Sequence, residues 1–494
     1  MMERIIKINE NDTVAVAITQ LACGEWVRIG TELLQVKETI PAGHKIALCD
    51  IKEGIAVVKY GSSIGYATQD IERGTWVHTH NLRTGLEDVV EYRYKPQLPP
   101  EVKKKEAYFY GYDRGNNKFG VRNEIWIVPT VGCVNNVALA IAEQAKQFKT
   151  GSIDAIVAFP HPYGCSQMGD DQEYTRKFLA NLIQHPNAGG VLVLGLGCEN
   201  SNVTEIKKQM GSYDTERVKF LVCQEYEDEI EAGVDSVKSL IQTAAVDERS
   251  RVSASHLIVG LKCGGSDGFS GITANPLVGR FSDHLIAAGG TTILTEVPEM
   301  FGAETILMNR CRDAFVFEQT VDLINNFKKY FTTHGQTIYE NPSPGNKAGG
   351  ISTLEDKSLG CTQKAGTTIV NGVIAYADTV KEKGLNLLNA PGNDLVAASA
   401  LAVAGAQIVL FTTGRGTPFA SPVPTVKIAS NSKLAGQKRR WIDFDAGVLV
   451  DGTSMEDVEE QFFDYVLQVA SGKFVRSEEA GFHDMAIFKQ GVTL

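Results

Sequence analysis

Five of the nine cysteines share one local context, beside glycine where an apolar run ends: Cys133, Cys165, Cys198, Cys263 and Cys361. Glycine lets the chain turn tightly and approach a ligand, and a thiolate binds borderline metals such as iron. Free cysteine is also among the most buried residue types, so each one alone has a packing explanation. Five in one context favour a shared site. The other four lack this context and are interpreted as structural: Cys23, Cys49, Cys223 and Cys311.

Side chains capable of acid–base and metal chemistry lie close to these cysteines in the sequence. His161 precedes Cys165 in HPYGCSQMGDD, and Glu199 follows Cys198 directly. Cys263 opens the glycine-rich segment CGGSDGFSG, which also carries Ser266 and Asp267 and could form an anion-binding nest. Carboxylates follow an apolar run in TEVPE, which begins at position 295. These loops predict a polar ligand site.

Two further glycine-containing loops carry cations suited to binding a carboxylate. Lys347 lies in NPSPGNKAGG and Arg415 in TGRGT. Neither GxxxxGK[ST] nor GxGxxG occurs, so ATP and NAD are not supported as ligands. In the first ninety residues, His44, His78 and His80 could contact a metal or substrate, or could be ordinary surface and turn histidines.

The composition of the whole chain bears on its partners and its cellular compartment. The chain has 494 residues, with 48 Lys and Arg against 59 Asp and Glu, a net charge of −11. An acidic balance argues against nucleic acid or an anionic membrane as the main partner. No signal-peptide core and no run of 18 apolar residues occurs, which predicts a soluble cytoplasmic protein with reduced thiols.

The elements that must position the site fall into three predicted units. Residues 1–93 contain short alternating runs with turn signals, typical of a compact β unit, and residues 94–106 form a Pro- and Lys-rich linker. After it, apolar strand-length runs alternate with amphipathic helical stretches, as in parallel α/β sheets. We divide this part into a middle α/β domain over 107–248 and a C-terminal domain over 249–494. In a parallel sheet the strand ends share one edge, where ligands bind.

Several long motifs together resemble the galactarate/altronate family of sugar-acid dehydratases, among them GHKIALCDI, VHTHN, HPYGCSQMGDD, CGGSDGFSGITANPLVGRFSD and FTTGRGTP. The resemblance runs from about residue 5 to the final residues. It implies an N-terminal β-clip domain of the SAF type, a middle α/β domain and a C-terminal Rossmann-like domain with a parallel sheet. It also implies a hydro-lyase with bound Fe²⁺, Mn²⁺ being the second candidate. We expect the protein to be a homodimer. The implied reaction is dehydration of D-altronate to 2-dehydro-3-deoxy-D-gluconate and water in galacturonate catabolism, with galactarate or another sugar acid as the alternative substrate.

Dehydration of a 2,3-dihydroxy acid removes the proton next to the carboxylate and expels the 3-hydroxyl. The charge that develops on the carboxylate must be neutralised, while a base and an acid move protons. We expect proton transfer or catalysis from Lys364, Lys347 and His161. We expect substrate contacts from Ser266, Arg415, His44, His78 and His80. The expected metal ligands come from Cys165, Cys198, Glu199, Cys263, Asp267 and Glu296.

Two alternatives remain open at the level of sequence. In an iron–sulfur dehydratase, three cysteines would hold a cluster whose open iron binds the hydroxy acid, although no CxxC run occurs. The protein could also be a sugar-acid sensor without catalysis. The number of acid–base and metal-capable side chains argues against the sensor.

Overall fold

The computed structural model describes residues 4–86, 89–100, 103–491 and 493–494. Positions 101 and 102 of the predicted linker therefore lie outside the described residues. Three units follow one another along the chain, with a SAF-type β domain first and a large parallel sheet in the C-terminal region. Among the described residues, no helix combines the length and apolar character needed to cross a membrane.

The N-terminal unit consists of short antiparallel strands in small sheets with the orders β1-β2-β5-β8, β3-β4 and β6-β7-β9. Apolar side chains such as Val14, Ile46 and Val57 are buried and belong to its two core clusters. The strands are β1 (Ile5–Ile6), β2 (Val14–Ala17), β3 (Trp26–Ile29), β4 (Glu32–Gln35), β5 (Lys45–Ala47), β6 (Ala56–Lys59), β7 (Ser62–Ala67), β8 (Trp76–Val77) and β9 (Leu82–Arg83).

The second unit is a parallel sheet of order β13-β12-β14-β15. It is preceded by β10 (Tyr108–Asp113) and β11 (Phe119–Gly120). Its helices start just beyond the strand ends; Asn202 and Asp228 cap two of them by accepting hydrogen bonds from backbone N–H groups. The elements are β12 (Glu124–Pro129), α1 (Asn135–Ala145), β13 (Ile156–Ala158), α2 (Gly169–Ile183), β14 (Ala188–Gly195), α3 (Val203–Met210), β15 (Val218–Val222) and α4 (Glu229–Ala244).

The third unit contains a seven-stranded sheet of order β19-β20-β18-β17-β21-β22-β23, in which all pairs are parallel. The strands are β16 (Ser250–Ser253), which pairs with β10 instead, β17 (Ile258–Cys263), β18 (Thr291–Leu294), β19 (Val370–Ile374), β20 (Gly384–Leu388), β21 (Ile408–Thr413), β22 (Thr425–Ala429) and β23 (Phe444–Asp445). The helices are α5 (Ala274–Ala287), α6 (Glu304–Met308), α7 (Ala314–Thr333), α8 (Pro344–Ala348), α9 (Leu354–Thr362), α10 (Asp394–Val403), α11 (Ser432–Gln437), α12 (Met455–Ala470) and α13 (Arg476–Glu479).

The large sheet is buried on both faces, as its continuous apolar strands predict. One face packs in a core with α5, α7 and α12, through residues such as Phe281, Phe317 and Phe462. The other face contributes to a core shared with the second unit, where Val409 and Ala400 pack together with Trp126. The second and third units are therefore joined by a continuous apolar interface.

Candidate active site

Two thiols and a carboxylate meet below the carboxyl edge of the large sheet. The sulfur of Cys263 lies 3.4 Å from that of Cys361 and 3.1 Å from Oε2 of Glu299, and the Cys361 sulfur lies 3.2 Å from the same oxygen. All three residues are buried. Among the described residues, they alone form a set of three metal-capable groups whose ligand atoms all lie within 4.8 Å of one another.

Three elements bring this set together. Cys263 is the last residue of β17, and Glu299 lies in a short 3-10 turn (Val297–Met300) that follows β18. Glu296, just before that turn, has a left-handed backbone with φ 68°. A non-glycine residue in this conformation is strained, and such strain often accompanies functional sites. Cys361 lies within helix α9, which corrects the sequence-based expectation of a position at a strand end.

Buried ammonium groups surround the set and balance its carboxylates. Nζ of Lys357 donates to Oε1 of Glu299 at 2.7 Å, and Nζ of Lys364 lies 3.5 Å from Oε2 of Glu296. Lys262 also pairs with Glu296 and donates to Asp394 at 2.9 Å. Buried charges are stable only when they are paired and hydrogen-bonded in this way.

The charges fix the protonation states of the site. Burial alone would raise the pKa of Glu299, but the ammonium groups of Lys357, Lys262 and Lys364 together hold it well below its usual range. Burial and the Glu299 carboxylate raise the pKa of Glu296. The hydrogen bond with Cys263, followed by burial, raises the pKa of the Cys361 thiol well above its usual value. The site thus holds an ionised carboxylate beside a thiol that gives up its proton only to a strong competitor such as a metal ion.

Helix α9 links this set to the N-terminal unit. Asp356 accepts a hydrogen bond from Lys45 at 2.8 Å and one from Lys59 at 3.0 Å, and all three side chains are buried. Its neighbour Lys357 pairs with Glu299. The N-terminal unit therefore packs directly on the helix that carries Lys357 and Cys361.

Several predicted substrate-binding residues meet around residues 343–352. His44 contacts the carbonyl of Ala348 through Nε2 at 3.3 Å, and His78 contacts Oγ of Ser352 through Nδ1 at 2.9 Å. Arg415 is exposed and donates to the carbonyl of Gly345 at 3.3 Å. Lys347 lies in α8 within this segment and is partly exposed, while His80 is exposed and packs beside Trp76 with ring centroids 5.2 Å apart.

A small cavity is lined in part by Cys361. It measures about 10 Å³, the room needed by about one water molecule. Oγ of Ser266 is buried without a hydrogen-bond partner among the described residues. The side chains that line the cavity include Lys59, Tyr60, Ser266, Asp356, Lys357 and Cys361.

The other predicted site residues have different surroundings. Asp267 is buried and accepts hydrogen bonds from Ser270, from Ser430 at 2.8 Å and from Asn431 at 3.0 Å. Its carboxylate oxygens are therefore occupied by hydrogen bonds that hold the surrounding loops. His161 is bound on both sides by backbone, with Nε2 2.8 Å from the Pro129 carbonyl and Nδ1 accepting from Tyr163 N–H. Burial lowers the pKa of His161 to about 4, so it is neutral.

The remaining predicted metal ligands lie at the edge of the second sheet. Cys165 and Cys198 are exposed in the loops after β13 and β14. Glu199 is buried and accepts from Oγ of Thr130 at 2.6 Å and from Gly197 N–H at 2.7 Å. The six predicted ligands are thus divided between two sheets, and only Cys263 belongs to the compact set.

Sequence reasoning omitted Glu299, Cys361 and Lys357 from the site assignments. The segment TEVPE offered two carboxylates, Glu296 and Glu299. The second, in the 3-10 turn after Glu296, is the one that reaches the thiols. Lys357 left no sequence signal, since a lysine in a helix is usually at the surface. Its role depends on the burial of the whole of α9.

A charge-balanced, metal-capable site at the carboxyl edge of a parallel sheet, covered by a SAF-type domain, defines a multidomain α/β enzyme. Three family models match the chain. The altronate/galactarate dehydratase SAF domain matches residues 3–85, the second domain of D-galactarate dehydratase/altronate hydrolase matches 111–245, and the C-terminal domain of D-galactarate/altronate dehydratase matches 254–493.

Full-length relatives agree with these matches. The chain is 53% identical over 494 residues to altronate dehydratase of Escherichia coli (strain K12), covering 99% of each chain. It is 55% identical over 498 residues to altronate dehydratase of Bacillus subtilis (strain 168), covering 100% of each. Galactarate dehydratase (L-threo-forming) of Escherichia coli (strain K12) is 32% identical over 517 residues, covering 98% of this chain and 96% of the relative. The chain belongs to the galactarate/altronate dehydratase family.

Proposed function

We propose that this protein dehydrates D-altronate to 2-dehydro-3-deoxy-D-gluconate and water. The observation that carries the proposal is the buried set of Cys263, Glu299 and Cys361 ringed by ammonium groups, in a chain more than half identical over its full length to two altronate dehydratases. A sugar acid is an anion, and the exposed Arg415 and the partly exposed Lys347 offer it positive charge that the buried ion pairs do not use. Galactarate is the alternative substrate, supported by the more distant relative.

The donor set fits a divalent metal. Two thiols and one carboxylate within 4.8 Å suit a borderline ion such as Fe²⁺ better than Mn²⁺, which prefers oxygen ligands. We assign the ligands as Cys263, Glu299 and Cys361, in place of the mixed set drawn from sequence. Bound iron would supply Lewis-acid neutralisation of the charge that develops on the substrate carboxylate.

The protein's own residues have separable roles in this proposal. Although burial opposes its charge, the pKa of Lys364 is raised well above its usual value by the sulfurs of Cys263 and Cys361 and by Glu296. Lys364 therefore stays an ammonium ion and serves to neutralise the substrate carboxylate. Lys347 is the candidate for proton transfer, because it is partly exposed in the segment that the N-terminal histidines cover. Arg415 holds the far end of the substrate.

Other assigned contacts follow from the same arrangement. His44, His78 and Ser266 shape the substrate site, and His80 lies at its exposed rim. We assign His161 a positioning role, because both of its ring nitrogens bind backbone groups.

Free thiols in the site are favoured by a reducing compartment, which supports a cytoplasmic location. We also propose that the protein is a homodimer, and a sedimentation experiment that gives its mass in solution tests this.

The test incubates anaerobic, iron-loaded protein with altronate, galactarate, glucarate and mannonate and follows release of the 2-keto-3-deoxy acid. We expect product from altronate, and at least about a hundredfold loss of kcat/KM in Lys364→Met, consistent with loss of a charged contact to substrate. Lys381→Met changes an exposed lysine and serves as the matched control. Turnover of galactarate alone would select the alternative substrate. Absence of product from all four acids would refute the proposed activity and restore the sensor interpretation.

A further inference from the structure

We propose that Cys133, Cys165 and Cys198 hold a [4Fe–4S] cluster at the carboxyl edge of the second sheet, separate from the Cys263 site. The three cysteines follow β12, β13 and β14, which are neighbours in the sheet order β13-β12-β14. Because these strands are parallel, their ends lie at one edge, and the three loops leave the sheet side by side.

Backbone contacts lock the three loops against one another. Gly132 N–H donates to the Tyr163 carbonyl at 2.9 Å, and Ser201 N–H donates to the Gly164 carbonyl at 2.9 Å. A Cβ added at Gly164 would lie 2.0 Å from the carbonyl oxygen of Thr130, so only glycine allows this approach. Two of the three cysteines follow Gly132 and Gly164 directly. The packing of the loops therefore fixes the backbone segments that carry the three cysteines.

The three thiols are exposed and do not form a compact single-ion set, and both features favour a cluster over a single ion. All three cysteines are exposed, whereas free cysteine is usually buried. Within the described part of the chain their ligand atoms are not all within 4.8 Å of one another, unlike those of the Cys263 set. Ligands of one ion must be that close. In a cubane cluster each thiolate binds a different iron, so the sulfurs stand further apart.

The surroundings are polar and supply hydrogen bonds to sulfur. Oγ of Ser166 donates to the Cys165 sulfur at 3.8 Å, and Nε2 of Gln224 donates to the Cys198 sulfur at 3.8 Å. Such bonds to ligand sulfurs stabilise clusters and tune their potentials. Glu199 follows Cys198 directly, but its carboxylate accepts hydrogen bonds from Thr130 and from Gly197 N–H. It is therefore not a ligand beside the three thiols.

Unsatisfied buried polar atoms accumulate in the same region. Nε2 of Gln167 and Oγ of Ser201 are buried without partners among the described residues, and both residues contact Gly164 through other atoms. Nε of Arg176 and Oγ1 of Thr175, on α2, are likewise without partners. Buried polar groups are rarely left unpaired, so this concentration points to a bound group or ordered water that these loops hold.

Three protein thiolates leave one iron of the cluster without a protein ligand. Because the cysteines are exposed, that iron faces solvent and accepts an oxygen ligand such as water or a small hydroxy-carboxylate. The inference depends only on the second unit and holds whether or not the Cys263 site dehydrates altronate.

The test reconstitutes the full-length protein anaerobically with equal amounts of ferrous and ferric iron and with sulfide, so that no oxidant is needed to form the cluster. It then measures iron, acid-labile sulfide, visible absorbance and the electron paramagnetic resonance of the dithionite-reduced protein. We expect about four irons and four sulfides per chain beyond any iron at the Cys263 site. Cys133→Ser, Cys165→Ser and Cys198→Ser should each abolish sulfide retention. The matched controls are Cys23→Ser and Cys49→Ser, which also change exposed cysteines, and Cys361→Ser, which should leave the sulfide unchanged.

A second measurement needs no variant that might misfold. Alkylation of native protein, read by mass spectrometry, should label Cys23 and Cys49 with or without reconstitution. Cys133, Cys165 and Cys198 should be labelled only in the protein without cluster. Iron bound without sulfide, or equal labelling of the three cysteines in both preparations, would overturn the proposal.

Discussion

The sulfurs of Cys263 and Cys361 lie 3.4 Å apart although the residues are separated by 98 positions in the chain. One ends β17 and the other lies on α9, and Glu299 contacts both. The pair therefore exists only when α9 is seated against the sheet. The N-terminal unit contributes to that seating through Lys45 and Lys59, which bind Asp356 on the same helix. Metal affinity at this site should therefore depend on how firmly α9 and the N-terminal unit are docked on the C-terminal sheet.

Replacing Cys361 should remove the metal site without unfolding the protein. In Cys361→Ser the hydroxyl is a poorer ligand for borderline iron than a thiolate, so we expect iron affinity at this site to fall by at least about a hundredfold, with activity falling alongside. Cys311→Ser changes another buried thiol of the same unit, which bonds to Thr320 instead. Equilibrium dialysis with ferrous iron under anaerobic conditions measures both variants. Unchanged affinity in Cys361→Ser would contradict the assigned ligand set.

Removing Lys357 should cost stability because Glu299 would keep its buried charge without its closest cation. We expect Lys357→Met to lower the free energy of unfolding by about 3–5 kcal/mol. Lys357→Met combined with Glu299→Gln should recover part of that loss, since the stranded carboxylate is gone. Urea unfolding of both variants and of Glu299→Gln completes the cycle. Simple additivity of the two changes would show that the pair does not interact.

Buried neutral histidines should make the protein sensitive to acid. Burial lowers the pKa of His185 from 6.5 to about 4, and Nδ1 accepts from Asn187 N–H while Nε2 contacts the Ala406 carbonyl. The unfolded chain therefore binds a proton near pH 6.5 that the folded chain takes up only near pH 4. Stability should fall as pH drops through this window, by on the order of 3 kcal/mol for this histidine.

The contribution of His185 is separable by its pH slope. His185→Gln removes the titrating group, so the loss of unfolding free energy between pH 6.5 and 4 should be smaller than in the parent protein, whatever its stability at pH 7. The exposed His334 provides the control His334→Gln, which should leave the slope unchanged. An unaltered slope in His185→Gln would show that this residue does not carry the acid sensitivity.

A single methyl group at Gly268 should disturb the contact between the N-terminal and C-terminal units. A Cβ there would lie 1.9 Å from the Gly43 carbonyl oxygen, which precedes His44. We expect Gly268→Ala to cost at least about 1–3 kcal/mol, to lower activity and to speed proteolysis in the linker. Gly436→Ala has open space around the added carbon and should be neutral or stabilising by up to about 1 kcal/mol. Wild-type cleavage rates in Gly268→Ala would contradict the predicted coupling.

Local sequence patterns predicted the fold better than they predicted which residues form the site. Strand-length apolar runs at 124–130 and 407–412 indicated parallel sheets, because both faces of such strands are covered. The observed strands β12 and β21 lie at these runs. Cys263 was expected at a strand end and ends β17. Cys133, Cys165 and Cys198 lie further on, in the segments that follow β12, β13 and β14. The expectation for Cys361 was wrong because a glycine beside cysteine also occurs within α9. The same Gly-Cys signal therefore marks two different local structures.

The sequence by itself determined the succession of units, the β and α/β character of each, and the family, because these depend on local periodicity and on long contiguous motifs. Only the tertiary structure decided which chemical groups share a site. It separated Cys165 from Cys263 by placing them on different sheets, and it joined Glu299, Lys357 and Cys361 across two elements. The physical reason is that burial and charge pairing are properties of the packed chain, and one buried helix, α9, sets both.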